Sequence, residues 1–181
     1  MRTKLALLLL GLSAFPTSGT AQVRQGQCGY DRWSVKTLTD ADRAEVQFRP
    51  VVSTITALGA IPIPEIPYPD DGRIRPQEIT VYRVRAVVRQ ILVQDDRDWH
   101  LILADPETGT TMVAEIPDPT CTQDSGHEAE FAAARDSLHA LPRGAVIEVT
   151  GVGFFDYIHN QRGRAPNGFE LHPVLLIKLL P

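Results

Sequence analysis

The strongest constraint on the fold of this chain is an alternation of apolar and basic side chains that begins shortly after Glu78. Every second position is apolar, and arginines fill most of the positions between them: Tyr82, Val84, Ala86 and Val88 against Arg83, Arg85 and Arg89. A period of two residues is that of a β-strand with one face toward a core. The alternation therefore predicts a long strand in a mainly β domain.

One helix and four further strands are predicted after this strand. Residues 99–104 and 110–116 flank a turn that contains Pro106 and Gly109, which is typical of a hairpin. Apolar positions at helical spacing predict a helix within 127–141. Runs of β-branched and aromatic residues predict strands at 145–155 and 169–180. The expected order is β-β-β-α-β-β.

This element order resembles that of the OB-fold, a five-stranded barrel with one helix between strands 3 and 4. The resemblance covers residues 77–181, and an SH3-like barrel or a short sandwich is an alternative that shares part of the pattern. Residues 22–76 form an N-terminal extension that ends in a proline-rich connection, 61–76, expected to be extended. We expect the extension and the barrel to pack as one globular unit.

Residues 1–21 have the features of a signal peptide. Arg2 and Lys4 precede an apolar run at 5–12, and small residues end the segment at Ala21. The apolar run is shorter than the ~20 residues that a membrane-spanning helix needs. The sequence therefore predicts export, to the periplasm or the medium, and a mature chain without a membrane span.

Four segments are similar to segments of a group of uncharacterised exported bacterial proteins. They are CGYDRWSVKT at 28–37, AEIPDPTC at 114–121, GVGFFD at 151–156 and APNGFELHPV at 165–174. The resemblance spans nearly the whole mature chain. It implies export and brings no activity with it.

Two cysteines, Cys28 and Cys121, are expected to form a disulfide, because an exported protein folds in an oxidising compartment. The bond would close a loop of about 90 residues, which the chain-entropy model values at about 4 kcal/mol.

The charge balance disfavours nucleic acid as a partner. The chain has 18 Lys and Arg against 22 Asp and Glu, and loss of Arg2 and Lys4 with the leader leaves a net charge of −6. Proteins that bind by neutralising phosphates usually show the opposite sign. The expected partner is a small molecule or an envelope protein.

The segment 156–168, between the last two predicted strands, is the first candidate site. It is longer than a hairpin needs, and ligand loops of OB-fold barrels lie in this place. Its candidate ligand-binding residues are Tyr157, His159, Asn160, Gln161, Arg162, Arg164 and Asn167. The alternative is a solvated loop in which Gly, Asn and Pro serve only the turns.

The second candidate site depends on strand register. If alternate residues of the hairpin face the core, His100 lies opposite Glu115 on the outer face, and Glu170 and His172 share one face of a neighbouring strand. Two histidines and two carboxylates can hold a divalent metal, the one cofactor considered, or act as acid and base. The alternative is a set of ordinary exposed pairs. The acidic run 95–98 lacks the Gly and distal Glu of a calcium loop and is expected to be a solvated turn.

No nucleophile elbow, phosphate-binding glycine loop or His-Glu-x-x-His helix is present in the sequence, so no catalytic residue is assigned. The favoured function is that of an exported, non-enzymatic OB-like module that binds its partner through the 156–168 loop and the adjoining outer face. The alternatives are a metal-dependent hydrolase of the phosphodiesterase type, using His100, Glu115, Glu170 and His172, and a structural envelope protein.

Overall fold

The computed structural model describes residues 28–29 and 31–181. The predicted signal peptide lies outside the described residues, as does the start of the N-terminal extension. In the part of the chain that is described, no helix is both long enough and apolar enough to cross a membrane.

Five strands close into a barrel. They are β2 (Thr80–Val93), β3 (Trp99–Ala104), β4 (Thr111–Ile116), β5 (Val146–Phe155) and β6 (Phe169–Leu179). Strand β2 pairs with β3, β3 with β4, β4 with β6 in parallel, β6 with β5, and β5 again with β2. This is the strand order of an OB-fold, which confirms the predicted fold class.

The barrel interior contains the apolar side chains that the alternation placed there. The buried positions include Val84, Ala86, Val88, Leu101, Leu103, Met112, Ala114 and Ile116. Helix α3 (Glu128–Leu138) lies between β4 and β5 in the sequence and packs against β6 and β4. It adds Phe131, Ala134 and Leu138 to the core. Its place after the third barrel strand is the predicted one.

A sixth strand, β1 (Gln47–Ser53), pairs in parallel with β2. Most of its side chains are exposed, including Val51 and Val52. It therefore has no alternation of buried and exposed positions, and its sequence carries no strand signal for this reason. The short helices α1 (Trp33–Lys36) and α2 (Ile55–Gly59) precede and follow it.

A buried ion pair between Arg32 and Glu78 ties the extension to the barrel. Arg32 makes a two-pronged contact with Glu78, with its two terminal nitrogens 2.8 and 2.7 Å from the two carboxylate oxygens. Arg32 also donates hydrogen bonds to the carbonyl oxygens of Pro69 and Gly72 in the proline-rich connection. Such contacts fix the connection against the barrel because buried polar groups that lose their partners are costly.

The predicted disulfide between Cys28 and Cys121 is present. It links the chain just ahead of α1 to the segment between β4 and α3, across 93 positions of sequence.

Candidate functional site

The predicted register of β3 and β4 is confirmed: His100 is paired with Glu115. Nδ1 of His100 lies 2.6 Å from Oε1 of Glu115, so the imidazole donates a short, charge-assisted hydrogen bond. Both side chains point away from the barrel interior, because Leu101 and Ala114 next to them point inward.

Strand β6 brings the other two predicted side chains to the same place. Nδ1 of His172 lies 3.2 Å from Oε2 of Glu115 and 3.3 Å from Oε1 of Glu170. All four residues of the second candidate site therefore converge. We call the group His100, Glu115, Glu170 and His172, together with Asp98 described below, the polar cluster.

The expectation that these side chains lie on an exposed face is wrong. His100 is 1% exposed, Glu115 7%, Glu170 3% and His172 0%. The outer face is covered by the β5–β6 connection: Nε2 of Gln161 lies 3.5 Å from Nδ1 of His100. The backbone at Gly163 lies so close to Ile102 that an added Cβ would be 2.4 Å from its side chain.

Asp98 belongs to the polar cluster, although the sequence analysis expected it in a solvated turn. It is fully buried, and its Oδ2 lies 3.6 Å from Nε2 of His172. Its Oδ1 accepts a hydrogen bond from the backbone N–H of Asp118. The available signal was its position two residues before His100, which puts both side chains on one face of an extended chain. Asp95, in the same run, is exposed as expected.

Lys36, at the end of α1, is a second residue that the sequence analysis missed. Its Nζ lies 3.9 Å from Oδ1 of Asp156 and 5.2 Å from the centre of the Phe154 ring. Burial alone would lower the pKa of Lys36, but Glu170, Asp156 and Glu115 raise it above its ordinary value. The lysine is therefore the cation that faces the carboxylates of the polar cluster from α1.

The polar cluster separates the protonation states of its two glutamates. Burial would raise the pKa of Glu115, but the hydrogen bond from His100 and the charges of His172 and Lys36 lower it to about 2. Burial and the neighbouring Glu115 raise the pKa of Glu170 to about 7. One carboxyl is therefore ionised in neutral solution while the other titrates there.

Burial and neighbouring charges act in opposite directions on the pKa values of His172 and Asp98. Burial would lower the pKa of His172, but the carboxylates of Asp98, Glu170 and Glu115 raise it to about 9. Burial raises the pKa of Asp98, and the facing His172 opposes this. At 3.6 Å the contact between Asp98 Oδ2 and His172 Nε2 is an ion pair and is too long for a good hydrogen bond.

Asp98, Glu115 and His172 form the group, among the described residues, that could hold a metal ion. Each offers one ligand atom, and these atoms lie within 4.8 Å of one another. The group contains two of the four residues predicted as metal ligands. His100 and Glu170 are adjacent to it and are not members of it.

A cleft of about 620 Å³ opens beside the polar cluster. Three segments form its walls: the N-terminal segment around α1, the turn at 94–96 and the β5–β6 connection. The lining includes five carboxylates and one lysine: Asp31, Asp95, Asp96, Glu115, Asp156 and Lys36. Glu115 thus belongs both to the polar cluster and to the cleft.

The predicted residues of the 156–168 loop take up different places. Tyr157, His159 and Gln161 line the cleft, whereas Asn160 and Arg162 are exposed and do not line it. Arg164 turns back onto the carbonyl oxygens of His159 and Ala165. Asn167 is buried and donates to the carbonyl oxygens of Leu58 and Ile61, which positions α2. The structure therefore does not bring the side chains of Arg164 and Asn167 to the cleft.

No protein-family model and no curated protein matches this chain. Its fold is similar to that of an OBody bound to hen egg-white lysozyme, at 15% identity over 56% of this chain and 81% of the OBody, with a TM-score of 0.41. A second OBody bound to the same lysozyme gives 15% identity, 55% and 79% coverage and a TM-score of 0.38.

Asparaginyl-tRNA synthetase of Entamoeba histolytica is similar at 12% identity, over 55% of this chain and 20% of the synthetase, with a TM-score of 0.37. These similarities concern the fold alone, and the assignment of the OB-fold rests on the strand order of this chain.

Proposed function

We propose that this protein is an exported, non-enzymatic binding module whose ligand is an organic cation with more than one amino group. The cleft beside the polar cluster is the binding site. The observation that carries the proposal is the surplus of carboxylates in the cleft lining, five against one lysine. A cleft with walls of one charge sign concentrates ligands of the opposite sign.

Three of the lining carboxylates have no cationic partner among the residues that the structure describes. In the described part of the chain, no Lys, Arg or His nitrogen lies within ion-pair distance of Asp31, Asp95 or Asp96. Asp156, by contrast, is within 3.9 Å of Lys36 and 3.6 Å of His159. Asp31 and Asp95 are exposed and Asp96 is half-buried, so an amino group of a ligand can reach them from solvent.

Features of the sequence support two parts of this proposal, export and a cationic ligand. The signal-peptide features of residues 1–21 support export of the mature chain, and the disulfide between Cys28 and Cys121 suits an oxidising compartment. The acidic balance of the chain supports a cationic partner in preference to nucleic acid.

The test is calorimetric titration of the protein with spermidine and with tetralysine, using tetraglutamate as the oppositely charged probe. We expect both cations to bind, added salt to weaken them, and tetraglutamate not to bind. The triple variant Asp31→Asn, Asp95→Asn and Asp96→Asn should bind about tenfold more weakly, at roughly 0.5 kcal/mol for each charge.

A matched control removes three exposed carboxylates that do not line the cleft, by Glu65→Gln, Glu107→Gln and Asp136→Asn. This variant should bind as the unaltered protein does. Equal weakening in both triple variants would reduce the effect to net charge and would overturn the cleft as the site.

A metal-dependent hydrolase is the second candidate, and one observation favours it. Glu115, a member of the metal-competent group, also lines the cleft, so a substrate in the cleft would reach a metal held there. Hydrolysis of bis(p-nitrophenyl) phosphate in the presence of Zn²⁺ or Mn²⁺, abolished by a chelator and by Glu115→Gln, would support this candidate. A third candidate, the structural envelope protein, predicts that neither titration nor hydrolysis gives a signal.

A further inference from the structure

The polar cluster contains two buried polar atoms without hydrogen-bond partners. Among the described residues, Oδ2 of Asp98 and Nε2 of His172 accept or donate no hydrogen bond, and both residues are 0% exposed. Unsatisfied buried polar atoms are rare in folded proteins, and each asks for an explanation. Here the two atoms face each other across 3.6 Å.

This separation suits two ligands of one metal ion. Protein nitrogen and carboxylate oxygen bind Zn²⁺ at about 2.0–2.2 Å, which at a tetrahedral angle places the two ligand atoms about 3.4 Å apart. The third residue of the group, Glu115, also has its ligand atom within 4.8 Å of the other two. Oε2 of Glu115 now lies 3.2 Å from the other ring nitrogen, Nδ1 of His172. A rotation of the Glu115 side chain toward the Nε2 side would therefore complete the set of three ligands.

We propose that Asp98, Glu115 and His172 bind one divalent first-row transition-metal ion, of the Zn²⁺ type, next to the cleft that Glu115 lines. Two carboxylates balance the charge of the ion, which removes the cost of burying unpaired charge. An imidazole nitrogen is a ligand that Zn²⁺ favours, whereas Ca²⁺ takes six to eight oxygens. Three protein ligands leave one position of a tetrahedral ion for a further group.

His100 acts in this site as a positioning residue. Its Nδ1 lies 2.6 Å from Oε1 of Glu115, which holds one oxygen of the carboxylate and leaves Oε2 as the oxygen that can turn to the ion. Hydrogen bonds of this kind orient metal ligands, and their loss typically lowers metal affinity by roughly 10–100-fold. We expect a loss of about this size when His100 is replaced.

The metal site goes beyond the proposed binding of organic cations, which does not require it. The hydrolase candidate, in contrast, rests on it. The two proposals fail separately: a protein that binds tetralysine but no metal would overturn only this inference.

The direct test uses the unaltered protein after chelator treatment, titrated with Zn²⁺ and followed by the ¹⁵N signals of its five histidine rings. We expect binding of one equivalent and a large shift at the ring nitrogens of His172. The rings of His127 and His139, outside the polar cluster, should not shift. Unchanged signals of His172 at saturating Zn²⁺ would overturn the site, as would shifts confined to the other rings.

Calorimetry of variants adds a second measurement. Asp98→Asn removes one ligand oxygen while keeping the shape of the side chain, and it should weaken Zn²⁺ binding by at least about tenfold. The matched control His139→Gln should leave the affinity unchanged. Equal affinity in Asp98→Asn would contradict the assignment, and the ring-nitrogen test decides the question if that variant does not fold.

Discussion

Nδ1 of His100 and Oε1 of Glu115 are joined by a 2.6 Å hydrogen bond between two buried side chains on neighbouring strands. The bond holds an ionised carboxylate that is mostly buried and reaches the cleft beside the β5–β6 connection. Loss of a hydrogen bond to a charged group typically costs about 1.5–3 kcal/mol. The carboxylate of Glu115 would still have His172 at 3.2 Å.

We therefore expect His100→Gln to lower the free energy of unfolding by about 1.5–3 kcal/mol. Urea denaturation of the variant measures this directly. The control is His139→Gln, at an exposed position, for which a change within about 0.5 kcal/mol is expected. Equal stability of the two variants would show that the hydrogen bond between His100 and Glu115 contributes nothing.

Arg32 binds both the proline-rich connection and the carboxylate of Glu78. We expect Arg32→Met to destabilise the protein by about 3–5 kcal/mol, because the carboxylate of Glu78 would remain buried without its cation. Loss of the bonds to Pro69 and Gly72 should also make the connection more sensitive to protease.

Limited proteolysis and urea denaturation measure the two effects of Arg32→Met. The control Arg85→Met removes an exposed arginine from β2 and should change neither. Cleavage within 61–76 at the same rate in both variants would argue against the role of Arg32 as an anchor.

The disulfide should contribute strongly to stability because its two cysteines are 93 residues apart. The double variant Cys28→Ser and Cys121→Ser should lose about 4–5 kcal/mol in the chain-entropy model. Guanidinium denaturation with and without dithiothreitol checks this value. The reductant should lower the stability of the unaltered protein toward that of the variant and leave the variant unchanged; a variant as stable as the parent would refute the prediction.

The raised pKa of His172 predicts a loss of stability in alkaline solution. Its value in the folded protein is about 9 against an ordinary 6.5, so the folded form binds the proton more tightly. The resulting stabilisation is complete below pH 6.5 and is lost as the pH rises through 9. The free energy of unfolding of chelator-treated protein should fall over this interval.

The variant His172→Gln should show a smaller fall over the same pH interval, which denaturation at a series of pH values measures. An equal fall in the variant would assign the pH dependence to other groups.

The contacts of the candidate site that lie within a hairpin or a single strand could be predicted from the sequence. Alternation of apolar residues in the hairpin was enough to place His100 opposite Glu115, and a spacing of two put Glu170 and His172 on one face. These relationships depend only on strand periodicity and register. The same periodicity led to the confirmed OB-fold.

The buried state of these residues could not be read from the strands. It depends on α1 and the β5–β6 connection, which cover the outer face through contacts distant in sequence, such as Gln161 with His100. Lys36 and Asp98 were missed for this reason: one lies on a four-residue helix, the other at the end of an acidic turn. Neither segment carries a periodic signal that reveals what packs over it.

Binding of the ligand in the cleft beside the polar cluster can be measured by the backbone amide shifts of ¹⁵N-labelled protein titrated with tetralysine. We expect the largest shifts in two segments of the cleft lining, 94–96 and 156–161. Saturable binding with shifts confined to β1 or α3, and none in these two segments, would contradict binding in the cleft.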